Sequence, residues 1–79
     1  MSDYLLTVEL EDENVVLHAD PAGLRHLIGR LQSLLSTAEA SGNEHEHFMT
    51  SEWGGEDLTS EVQGGGEVVN HVRVYCWVP

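Results

Sequence analysis

The sequence predicts an α+β fold of β-β-α-β-β order, a four-stranded, mostly antiparallel sheet with one helix packed on one face. Three observations predict it. Apolar residues alternate near the start of the chain, recur at helical spacing from Leu24 to Ala38, and alternate again from His45 and from Val68. The 79 residues read as a single domain, 1–79, carrying a long Gly-rich acidic loop at 51–67.

Tyr4, Leu6, Val8 and Leu10 lie on one side of the first strand and Leu5, Thr7 and Glu9 on the other. The polar break Glu11-Asp12-Glu13-Asn14 follows, with Asn14 suited to a left-handed turn, and Val15 to His18 returns as a hairpin strand. Asp20-Pro21 is a helix start, because the carboxylate accepts from orphaned N–H groups and proline fits the first helical position. Leu24, Leu27, Ile28, Leu31, Leu34, Leu35 and Ala38 then recur three and four apart. They describe a helix of about five turns, ending before Ser41-Gly42-Asn43, whose stripe is expected to cover the sheet. Arg25, His26, Gly29, Arg30, Gln32 and Ser33 fall on its wet side.

Glu44 to Thr50 is the third strand, with His45, His47 and Met49 on one face and Glu46, Phe48 and Thr50 on the other. In the loop that follows, Gly54-Gly55 and Gly64-Gly65-Gly66 are interspersed with Glu52, Glu56, Asp57, Glu61 and Glu67. Leu58 and Val62, four apart, suit a helical turn pinning the loop to the body. Val68 to Trp77 is the fourth strand, expected to pair with the third as a wide hairpin.

Fourteen acids face three arginines and no lysine, a net charge of −11. Such a field repels nucleic acid and anionic membranes, which need Lys and Arg to neutralise phosphate, and favours cationic proteins. Cys76 is the only cysteine, so no internal disulfide is possible. Without a signal-like segment or a long apolar run, a cytoplasmic, soluble protein is expected.

Pairing Thr50 with Val68 would make His47 face His71 and His45 face Arg73. The uncovered sheet face then presents His45, His47, Met49, His71, Arg73, Tyr75 and Trp77. Aromatic, methionine and arginine side chains are enriched at the centres of protein interfaces; ordinary cross-strand pairing on a wet face is the plainer account. A metal reading also exists: His45 and His47 point the same way, and His71 supplies a third zinc ligand with one position open. Catalytic residues and a cofactor site are not expected. No nucleophile elbow or triad spacing occurs, and glutamate, not Lys-Ser/Thr, follows the glycine run.

The run H-E-H-F-M-T-S-E-W-G-G-E-D-L, then V-N-H-V-R-V-Y-C-W, with A-D-P-A-G-L-R-H-L upstream, resembles the immunity protein 32 family of bacterial polymorphic toxin systems. The likeness extends from about Val8 to Trp77, and His45, His47, Trp53, Gly54, Gly55, Leu58, His71 and Tyr75 fit the shared pattern. The resemblance implies a small α+β cytoplasmic protein, not an enzyme, that neutralises a cognate toxin by binding it. The residues expected to touch a basic toxin are Glu52, Trp53, Glu56, Asp57, Glu61, Arg73, Tyr75 and Trp77. For Trp53, plugging one end of the core is the competing role. The alternatives are a zinc module built on His45, His47 and His71, or a structural homodimer joined through the uncovered sheet face.

Overall fold

The computed structural model describes residues 3–79. Strands β1 (Leu6–Glu11) and β2 (Asn14–Ala19) form the expected hairpin, in register from Leu6 opposite Ala19 to Glu11 opposite Asn14. The left-handed residue of its turn is Asp12, at φ 59°, and not Asn14, because Asn14 already pairs with Glu11. Helix α1 (Pro21–Ser41) starts where the sequence indicated: Asp20 accepts the Gly23 N–H at 2.7 Å, and Pro21 opens the first turn. It ends at Gly42, whose N–H donates to the Ala38 carbonyl at 2.8 Å. Strand β3 (Glu44–Met49) follows, then a 3-10 turn (Ser51–Trp53), β4 (Glu67–Val68) and β5 (His71–Cys76).

The strands make two antiparallel sheets, β2-β1-β4 and β3-β5, and not the single four-stranded sheet expected. The expected fourth strand divides at Val69-Asn70. Ahead of the break, Val68 pairs with Glu9 and the Val69 N–H donates to the Val8 carbonyl at 2.8 Å. At the break, Asn70 takes the Thr50 N–H on its carbonyl at 3.0 Å and the Thr50 hydroxyl on its side chain at 2.7 Å. Beyond it the chain pairs with β3. One strand thus serves two sheets, with a polar residue at the corner.

The long connection has more structure than its glycines suggest. No helical turn joins Leu58 to Val62. Instead Leu58 and Thr59 lie extended between the sheets, Leu58 N–H donating to the Met49 carbonyl (3.1 Å) and Thr59 N–H to the Leu6 carbonyl (2.7 Å). The Thr59 hydroxyl also accepts the Leu6 N–H at 2.9 Å and lies 2.7 Å from the Thr7 hydroxyl. This segment ties the two sheets together a second time, beside the Val69-Asn70 corner.

Leu6, Val8, Phe48 and Leu58 form the buried core, flanked by partly buried Tyr4, Leu27, Val69, Val72 and Val74. The helix covers it differently from expectation. Of the leucine stripe, only Leu34 and Ala38 are buried, while Leu24, Ile28, Leu31 and Leu35 stay 38–51 % exposed. The helix is turned so that His26 and Arg30, assigned to the wet side, come down on the body. Arg30 pairs with Asp57 and with Glu46 (2.6 Å), and its guanidinium lies 5.0 Å above the Phe48 ring. That orientation gives the half-buried arginine two charge-assisted partners and leaves part of the stripe bare.

Candidate functional site

Residues on a strand alternate in direction, so β3 and β5 sort their side chains between two faces. Phe48, Val72 and Val74 go to the core side, and Glu46 meets Arg30 there. His45, His47, Arg73 and Tyr75 go to the other side, which the helix does not reach. The observed register sets His45 opposite Tyr75, His47 opposite Arg73 and Met49 opposite His71. This is two residues from the register assumed from sequence, which put His47 opposite His71. A shift of two keeps every side chain on its face, so the composition of the surface is as expected and only the neighbours change.

The neighbours form a ladder of rings. Trp53 tilts over His71 at 6.0 Å between centroids, and His71 stacks on His47 at 4.9 Å. His47 meets His45 edge-on at 4.9 Å, His45 stacks on Tyr75 at 5.1 Å, and Tyr75 stacks on Trp77 at 5.6 Å. His47 Nδ1 lies 2.7 Å from His71 Nε2, a hydrogen bond whose donor is set by the tautomers of the two rings. Loss of water around the ring, then charge repulsion from the side of His45, His71 and Arg73, holds the His47 pKa below its usual value. Trp53 is 59 % exposed, Tyr75 46 % and Trp77 71 %, so Trp53 does not plug the core. Asn43 pins the end of the ladder, accepting the Val78 N–H at 2.7 Å.

Local backbone chemistry places Trp53. The Thr50 carbonyl accepts the N–H groups of both Trp53 and Gly55 at 3.0 Å, closing the turn. Gly54 supplies a left-handed φ of 84°. Gly55 packs so closely on Met49 that a Cβ there would sit 2.5 Å from that residue's Cβ and carbonyl oxygen. The W-G-G motif is therefore a folding device that presents the indole.

The acids divide into two groups. Glu52, Glu56 and Glu61 are exposed. Asp57 is committed internally, held by Arg30 and by His26 Nε2 at 2.7 Å. Its main chain and that of Glu56 accept the Tyr4 hydroxyl at 2.9 and 3.0 Å, and Tyr4 stacks on His26 at 4.8 Å. Burial, reinforced by the Asp57 charge, raises the Tyr4 pKa. Burial alone would lower the Arg30 pKa, but its bonds to Asp57 and Glu46 outweigh that and raise it. Asp57 thus positions the loop carrying Trp53. Glu61 belongs to a stretch whose contacts run to β1: Glu9, fully buried, accepts the N–H groups of Gln63 (2.7 Å), Gly66 (3.0 Å) and Gly64 (3.3 Å).

Glu9, Thr59, Tyr4 and Arg30 are the structural residues that sequence reading missed. A glutamate in strand alternation looks solvated, and the groups that satisfy it lie more than fifty residues away. Among the described residues, the only set of three ligand groups close enough to share an ion is Glu9, Glu11 and His18. His45, His47 and His71 do not converge in that way. The Glu9–Glu11–His18 set is already occupied, with Glu9 on backbone amides and His18 Nε2 2.7 Å from Glu11. Among the described residues, no helix is long and apolar enough to cross a membrane.

Fold and surface define a class: a small α+β domain offering ring faces and carboxylates from a rigid sheet and a pinned loop. The family model for Immunity protein 32 matches residues 14–72, three quarters of the chain, and the chain belongs to that family. Its members are immunity proteins, generally without enzymatic activity. No curated protein and no solved structure shows a significant match.

Proposed function

We propose that this protein neutralises a cognate bacterial toxin in the cytoplasm by binding it, without chemistry of its own, and that the toxin presents a basic surface. The observation that carries the reading is the exposed ladder from Trp53 to Trp77. Large flat side chains, ordered before the partner arrives, lose little freedom on binding and supply the buried anchors that dominate interface energies. Arg73 stands among them, opposite His47. Glu52, Glu56 and Glu61 add negative charge from the loop, and the net charge of −11 speeds encounter with a cationic protein. Asp57 contributes by holding Trp53's loop to the helix.

Co-expression with the product of the adjacent gene tests this, scored by growth rescue and co-purification. Rescue by the wild type, its loss in Trp53→Ala/Tyr75→Ala, and slower association on charge reversal at Glu52, Glu56 and Glu61 are expected. Full protection by that aromatic double variant, folded and expressed normally, would remove the ladder from the contact.

A further inference from the structure

The part of α1 that the fold leaves bare is itself patterned. Leu24, Ile28, Leu31 and Leu35 are spaced four, three and four apart, the seam of a two-heptad coiled coil, and each is 38–51 % exposed. Beside the seam, an open apolar groove runs into the core, lined by Leu31, Val15, Leu17, Phe48 and Val72, with no polar residue in its walls. Val15 and Leu17 on β2 are 64 % and 51 % exposed.

We infer that this face joins two copies of the chain, with the α1 helices packed antiparallel about a two-fold axis and the groove closed by the second copy. Three observations select a second copy as the occupant. The seam is self-complementary: an axis between positions 29 and 30 places Leu24 against the partner subunit's Leu35 and Ile28 against the partner subunit's Leu31. Charge permits it, since Pro21 to Ala38 contains no acid in a chain of fourteen, and Arg25 lies toward the same end of the seam as the partner subunit's Glu39. Area is compatible with it: the accessible surface is 5336 Å², whereas a folded chain of 8.7 kDa exposes about 4,700 Å². The excess of about 600 Å² approaches the ~800 Å² that each partner covers in a stable dimer. The opposite sheet face, with its ring ladder, stays free in such a dimer, so the inference stands whether or not the ladder binds a toxin.

Sedimentation velocity of the full chain across a dilution series reads the state directly. A species of twice 8.7 kDa is expected for the wild type, and a monomer of unchanged helical circular dichroism for Ile28→Glu/Leu35→Glu. Disulfide trapping in a Cys76→Ser background reads the orientation. Leu24→Cys and Leu35→Cys chains are expected to cross-link to each other, and Leu24→Cys not to itself. A wild type that stays monomeric at about 100 μM, a dimer that survives Ile28→Glu/Leu35→Glu, or efficient Leu24→Cys self-linking overturns the inference. So does a monomer whose toxin complex is abolished by Ile28→Glu/Leu35→Glu, which would assign the face to the toxin.

Discussion

Glu9 Oε2 accepts the Gln63 N–H at 2.7 Å from a side chain with no solvent exposure. A carboxylate inside a strand thereby orders a glycine-rich loop more than fifty residues away, and the amides of Gly64 and Gly66 complete its shell. Those N–H groups, Gln63 first, hold its pKa below the ordinary 4.5 against the opposing effect of burial. The folded pKa is depressed, so the stabilisation is present above the unfolded value and lost as pH falls through the folded one. Glu9→Gln, which sets amide donors against backbone donors, is expected to remove that acid transition. It should also speed hydrogen exchange at Gly64 and Gly66 at neutral pH, with β3–β5 amides unaffected.

Asp57 and Arg30 make a second long-range tie. Asp57→Asn and Arg30→Gln are each expected to cost about 2 kcal/mol, because each deprives a partly buried charge of one of its two partners. The double variant should lose much less than the two losses combined, and a double-mutant cycle by urea unfolding measures the difference.

His47 is expected to titrate below its ordinary 6.5 by NMR, and Arg73→Gln to raise that value. Since the folded pKa is the lower one, the contribution of neutral His47 is present above pH 6.5 and lost as pH falls through the folded pKa. Toxin affinity should weaken over the same range if the stacked His47–His71 pair forms part of the contact.

Trp53 and Gly55, two residues apart, should separate binding from folding. Trp53→Ala removes an exposed anchor and is expected to reduce toxin affinity by about 2 kcal/mol, roughly 30-fold, with stability changed by less than about 0.5 kcal/mol. Gly55→Ala drives a methyl into Met49 and is expected to destabilise by about 2 kcal/mol. Calorimetry and thermal melts of both variants make the comparison.

Much of this molecule was legible from residue order. Asp20-Pro21 marks the helix start because a cap is local chemistry, and the split of β3 into imidazole and core faces follows from strand period alone. The family pattern was legible too, since H-E-H-F-M-T-S-E-W-G-G keeps its spacing whatever the strand pairing. The register of β3 against β5 was not, because a two-residue slip preserves both faces and only the Thr50–Asn70 corner decides it.

The sequence by itself determined the elements, their order and the composition of each face, all governed by neighbours within a few residues. Only the tertiary structure decided that the strands divide into two sheets, that α1 turns Arg30 inward and leaves Leu24, Ile28, Leu31 and Leu35 exposed, and that Glu9 anchors the glycine loop. Each of those outcomes depends on partners far apart in the chain, Arg30 with Asp57 or Glu9 with Gly66, and no local period encodes such pairings.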